Sequence, residues 1–218
     1  MVTQFGTSWI EAVEGGIEIG GALVTPFLRS RRLRWGATDA ELARPYPGDE
    51  LLPHPQWSAT HAISISAPPR RIWPWMAQIG QGRGGLYSYQ KLENLIGCRI
   101  ENTSRILDEH QDVRVGDPIR LHAQAPPLTV TAVEEPTTLV LFGGPADSDE
   151  NVVLATSWAL VLMEQPGGTT RFVSRTRYQH ADDRRSRLMG GPLLLEPVSF
   201  VMERKMLKVI KALAESSG

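Results

Sequence analysis

The chain has 218 residues, 41% of them hydrophobic, with 23 Lys+Arg against 24 Asp+Glu for a formal net charge of -1. That is enough apolar material to bury a core, and a balanced charge exerts no global pull on nucleic acid, so no nucleic-acid partner is expected. One cysteine, Cys98, excludes an internal disulfide and any cysteine-based zinc site.

Residues 1 to 35 read as an N-terminal helical extension. Trp9, Ile10, Val13, Ile17 and Leu23/Val24 fall on one helical face, interrupted by Gly15, Gly16, Gly20 and Gly21. Arg29, Arg31, Arg32 and Arg34 follow within six residues. An apolar face with a basic end has two readings: weak peripheral contact with an anionic membrane, or a helix packed on its own domain. Met1 to Gly16 hold two glutamates and no Lys or Arg, unlike a secretory leader, and no uncharged run reaches bilayer length. A cytoplasmic location is expected. Residues 36 to 57 form a lead-in with Pro45, Pro47, Pro53 and Pro55.

The domain proper occupies residues 58 to 218. Ser58 to Ser66 alternates as a strand. Pro68-Pro69 then opens a short helix over Arg70–Ile79, and Ser88 is placed to cap a second over Tyr89–Ile96, with Gly97 as its stop. Beyond Gly97 the period changes to two. Candidate strands are Arg99–Leu107, Asp117–His122, Leu128–Glu134, Thr138–Gly143, Val152–Met163 and Thr169–Tyr178. Turn residues and no intervening helices imply an antiparallel sheet, seven-stranded with the first. Glu196–Glu215 closes the chain as a long helix with Val198, Met202, Met206, Val209, Ile210 and Leu213 on one stripe and Glu203 off it. The class is α+β.

Several motifs fail on context. Gly80, Gly82 and Gly85 match a dinucleotide fingerprint, but no βαβ unit surrounds them. The five histidines show no metal-ligand spacing, and there is no nucleophile elbow or phosphate loop. No cofactor and no metal are expected. The basic run Arg184, Arg185 and Arg187 reads as a solvated loop beside Asp182 and Asp183.

The chemistry concentrates between Trp75 and Gly97, where Gln78, Arg83, Tyr87, Tyr89, Glu93 and Asn94 lie among aromatic and glycine residues. These groups either line a cavity mouth and orient a ligand, or form a fixed network that holds the Gly80–Gly85 loop. In the last two strands, Trp158 shares a face with Leu160 and Leu162, while Arg175 and Arg177 lie opposite Ser174, Thr176 and Tyr178. Inward arginines would hold an anionic head group; outward ones would be surface charges.

The block Trp75 to Gly97 (WMAQIGQGRGGLYSYQKLENLIG) resembles the signature of bacterial SRPBCC proteins, the START-related, polyketide-cyclase-like family. Trp35–Thr38, Pro47–Leu51, Val115–Asp117 and Glu203–Leu207 agree, so the resemblance covers about residues 35 to 215. Gln90 and Leu86 depart from it, where the family often has Asp and an aromatic. The resemblance implies a helix-grip fold: a curved antiparallel sheet around a long C-terminal helix, with two short helices after the first strand and an apolar cavity. It implies binding of a small lipid- or polyketide-like ligand without catalysis, the alternative being a cyclase or dehydratase using Glu93, Tyr87, Arg83 or His180. The candidate ligand-binding residues are Trp75, Gln78, Arg83, Tyr87, Tyr89, Glu93, Trp158, Arg175, Tyr178, Met202 and Met206, and no catalytic residue is assigned. Oligomeric state is left open.

Overall fold

A computed structural model of the protein describes residues 8–144, 154–191 and 193–216. The N-terminal segment folds as α1 (Trp9–Val24), α2 (Arg29–Leu33) and α3 (Asp39–Ala43). Two of these begin with a capping box: Ser8 with Glu11 for α1, and Thr38 with Glu41 for α3. In each, side chain and backbone satisfy one another's orphan donors at the helix start. The domain continues with β1 (Trp57–Ile65), α4 (Pro69–Ala77), α5 (Gln90–Leu95), β2 (Pro118–Ile119), β3 (Leu128–Glu134), β4 (Thr138–Gly143), β5 (Leu154–Gln165), β6 (Thr169–His180), α6 (Arg184–Gly190) and α7 (Leu195–Ser216).

The sheet has six strands in the order β1-β6-β5-β4-β3-β2, all neighbours antiparallel. Helix α7 lies against one face of it. Met206, Leu207, Val209, Ile210 and Leu213 join Ile65, Leu139, Leu141, Leu160, Leu162 and Phe172 in one buried cluster. This is the helix-grip architecture expected from the sequence, with one strand fewer. The opposite, outer face is covered by the segment before β1. There Tyr46 and Leu51 pack on Ala62, Val140, Ala159, Val161 and Val173.

The missing strand is Arg99–Leu107. Its alternation is real, but its backbone bonds go to side chains rather than to a ladder. Asn94 Oδ1 accepts from the Ile100 amide at 2.6 Å, Gln90 Oε1 from Asn102 at 2.8 Å, and Gln78 Oε1 from Leu107 at 2.9 Å. Arg99 also sits at φ 53, outside strand geometry. The strand expected over Asp117–His122 contracts to Pro118–Ile119. Val152 and Val153, expected to open β5, lie outside the described residues.

Three local readings change. Ser88 does not cap α5; its hydroxyl lies 2.9 Å from the Met202 sulfur, and the helix begins at Gln90. Residues 184–190 are the helix α6 rather than a loop, started by Asp183, whose carboxylate accepts from the Ser186 amide. Glu203 is not off the buried stripe of α7 but is itself buried.

Candidate functional site

Helices α5 and α7 and the inner face of β5 and β6 line a half-open cavity of about 150 Å³. Leu86, Leu121, Trp158, Val198, Met202 and Met206 form its apolar wall, and Ser88, Glu93, Thr156, Tyr178, Ser199 and Glu203 bring polar groups into it. Alternation along the strands delivers Thr156 and Trp158 from β5 and Tyr178 from β6. Helical spacing delivers Ser199, Met202, Glu203 and Met206 from one side of α7.

Glu93 is the chemically distinctive member. It is 3% exposed, and among the described residues neither carboxyl oxygen receives a hydrogen bond, the neighbouring Ser88 hydroxyl lying against the Met202 sulfur. A buried carboxylate without partners is strongly disfavoured as the charged form. Burial accordingly pushes its pKa up to about 7, against a smaller opposing pull from the Ser88 hydroxyl.

Glu203 is the opposite case. Its Oε2 lies 2.9 Å from His61 Nδ1 and accepts from the Ser174 hydroxyl at 3.0 Å; that hydroxyl accepts from Trp158 Nε1 at 2.9 Å. The other ring nitrogen of His61 lies 2.9 Å from the Arg32 carbonyl. Both ring nitrogens therefore face acceptors, and a neutral imidazole has only one donor. Tyr178 stacks on its cross-strand partner Trp57 with ring centroids 4.1 Å apart, and burial, reinforced by the Glu203 carboxylate, raises its phenol pKa.

Of the residues singled out in the sequence, Glu93, Trp158, Tyr178, Met202 and Met206 meet in this cavity. The rest do not reach it. Gln78 is a buried hub: its amide nitrogen donates to the Tyr87 hydroxyl at 2.7 Å and the Arg105 carbonyl at 3.0 Å. Trp75 packs edge-on against Tyr87, and burial raises the Tyr87 phenol pKa. Arg83 donates to the carbonyls of Ala77 and His110, with desolvation lowering its pKa. Tyr89 turns the other way and donates to Glu18 of α1. Arg175 is on the outer face, where it pairs with Asp49 and donates to Thr60. It cannot serve as an anion anchor in the cavity, because strand alternation puts it opposite Tyr178.

The Gly80–Gly85 loop is held by Asn102, whose Oδ1 accepts from the amides of Leu86 and Tyr87. Gly85 stands at φ 88, and a Cβ there would lie 2.3 Å from that oxygen. Thus the loop is held by Asn102, beyond the block Trp75–Gly97, and not by Glu93. Cys98 is buried near Glu93, and burial pushes its thiol up to about 11, so no thiolate forms at neutral pH. Among the described residues no cluster of His, Cys, Asp or Glu has the arrangement to hold a metal ion.

No protein-family model matches the chain, and no curated protein matches it in sequence. Several solved structures are similar to it. The MLL2253 protein of Mesorhizobium loti is 17% identical, covering 74% of this chain and 99% of its own, with a TM-score of 0.44. A hypothetical protein of Helicobacter pylori is 7% identical over 78% of this chain and 95% of its own, with a TM-score of 0.48. CalC of Micromonospora echinospora, a self-sacrificing resistance protein, is 12% identical over 74% and 96%, with a TM-score of 0.41. The architecture stated above rests on strand order and on the packing of α7, independently of these likenesses. Among the described residues no helix is long and apolar enough to cross a membrane.

Proposed function

We propose that the protein binds a small apolar molecule bearing one hydrogen-bond donor, in the cavity between the sheet and α7. The observation that carries this is Glu93: two unpartnered carboxyl oxygens at the wall of an otherwise mostly apolar cavity. A buried acceptor left unmatched costs roughly 1–3 kcal/mol. A hydroxyl or amine on a bound ligand recovers that energy.

Size narrows the ligand. The cavity of about 150 Å³ is near the volume that admits a single benzene-sized ring. Pockets for larger ligands run to roughly 300–1,000 Å³. The bound portion is therefore one ring or a short acyl chain, the lipid- or polyketide-like class at its small end. The unbranched Met202 and Met206 provide the adaptable wall.

A second reading, acid–base catalysis of a cyclase or dehydratase type, is favoured by one observation. Glu93, protonated up to about pH 7, shares the cavity with Tyr178 and Glu203. Against it, Arg83 and Tyr87 are committed to structural bonds, and His180 lies at the end of β6. Binding without chemistry needs fewer assumptions.

Native mass spectrometry of the purified protein should reveal a co-purified small molecule. Calorimetric titration with 4-methylphenol should give binding that Glu93→Leu weakens at least tenfold. Equal affinity of the phenol for the wild type and Glu93→Leu would overturn the reading.

A further inference from the structure

Helix α1 is amphipathic with its faces reversed. Ala12, Gly15 and Ala22 face the protein, and so do two of its three charges: Glu11 pairs with Lys205 and Glu18 with Arg204. The large apolar residues face away. Trp9, Ile10, Val13, Ile17 and Val24 are 67%, 79%, 62%, 69% and 75% exposed. At 3.6 residues per turn they fall, with Gly20, within an arc of about 100° that carries no charge. Phe27, just beyond the helix, adds to the same end and is 79% exposed.

The glycines of this helix divide in the same way. A Cβ at Gly15 would stand 2.8 Å from Leu92 and 2.9 Å from Tyr89, so Gly15 lets α1 lie close on α5. A Cβ at Gly16, Gly20 or Gly21 would meet nothing within 4 Å. Glycine inside a helix is destabilising relative to alanine, and within this chain these three gain nothing in return. A second helix backbone approaching the outward face would make use of all three.

We propose that this face is covered by the same face of a second copy of the chain, with the two α1 helices antiparallel. A two-fold interface must be complementary to itself. The outward stripe is bulky at one end, with Trp9 and Ile10, drops to a notch at Gly20 and Gly21, and rises again at Val24 and Phe27. Antiparallel pairing seats the bulky end of each copy in the notch of the other, while Val13 and Ile17 meet at the centre. The area agrees. A stable interface takes roughly 800 Å² per partner. Two exposed aromatics, each worth about 150–250 Å² when buried, together with four aliphatics bring this stripe into that range.

The charges around α1 disfavour a lipid surface. Of the four arginines after α1, Arg29 is bound to Glu196, Arg32 to the Thr25 carbonyl and Arg34 to Asp39. Exposed Glu14 flanks the stripe and would be repelled by anionic lipid.

Sedimentation equilibrium of the full chain tests this. The wild type should be a dimer at micromolar concentration. Ile17→Asp should raise the dimer dissociation constant at least 100-fold with an unchanged circular dichroism spectrum, since Ile17 touches little of its own chain. Gly20→Leu should also dissociate the dimer while leaving the monomer folded, which a merely sticky surface would not require. Ile17→Cys should cross-link between copies under mild oxidant. A wild type that remains monomeric at 100-fold higher concentration would overturn the proposal, as would one that is monomeric and sediments with vesicles of anionic phospholipid. A dimer indifferent to both Ile17→Asp and Gly20→Leu would overturn it as well.

Discussion

The two faces of the sheet treat glutamate in opposite ways. On the outer face Glu41 accepts two bonds from Arg171, which holds its carboxyl down at about 2, and Asp49 answers both Arg175 and Arg177. On the inner face Glu93 has no donor among the described residues, and burial moves it the other way, to about 7. Both are carboxylates removed from bulk water, so burial alone does not separate them. What separates them is whether the chain supplies the partner. On the outer face the carboxylates are matched as folded, with a lead-in clamped by ion pairs. The inner face leaves the Glu93 carboxyl unmatched by any donor among the described residues.

The sharpest way to break that contrast is to remove a partner from the outer face. Asp49→Ala strands two guanidinium groups that are only 14% exposed, and should lower stability by about 3 kcal/mol in urea unfolding. A change within experimental error would mean that the outer pairs are ornamental. Next comes Glu93→Gln, which should stabilise. Because the folded pKa is raised above the unfolded value of 4.5, the native state holds a proton that the unfolded state releases. Wild-type stability therefore falls as pH rises from about 4.5 to about 7, and the deficit is fully present above that. At pH 8 the variant should exceed the wild type by about 2 kcal/mol, and at pH 4 the two should coincide.

Glu41 runs with the opposite sign. Its folded pKa lies below the unfolded one, so its contribution is present above about 4.5 and disappears as pH falls toward about 2. Glu41→Gln should flatten that acid limb and lower stability at pH 7 by about 1–2 kcal/mol, a value reduced for solvent screening. The smallest effect belongs to Ser174→Ala, which deprives Trp158 Nε1 of its acceptor and Glu203 of a donor and should cost about 1 kcal/mol. Thermal melts with and without 4-methylphenol would show whether that loss also loosens the cavity wall.

The strands β1, β3, β4, β5 and β6 are legible in the sequence because their inward residues meet a continuous apolar partner, so period two survives in the composition. So is α7, by the same reasoning at period 3.6. Arg99–Leu107 misleads for a definite reason: alternation records which residues are buried, not which atoms satisfy the backbone, and here distant amide side chains do so. The site is half-readable. Trp158, Met202, Met206 and Tyr178 follow from face assignment. Glu93 is visible as a candidate, but its isolation is not, because only folding shows that Asn102 holds the end of the Gly80–Gly85 loop while Asn94 is spent on Ile100. Glu203 had a usable signal in its spacing from Ser199, Met202 and Met206, obscured by the habit of placing charge on the solvent side. The capping box at Thr38 and Glu41 was a further signal, hidden among the prolines of the lead-in.

Three amide side chains, Gln78, Asn94 and Asn102, share one way of bonding. Each is an amide using both ends at once: Asn94 donates to the Ile100 carbonyl while accepting from the Ile100 amide, and Asn102 donates to Ser88 while accepting from Leu86 and Tyr87. Gln78 does the same between Tyr87, Arg105 and Leu107. Hydrolysis of any one to the acid would keep the acceptor, delete the donor and add a charge with nowhere to go. The segment that looks like a strand would then lose its anchor, while the sheet kept its own ladder bonds.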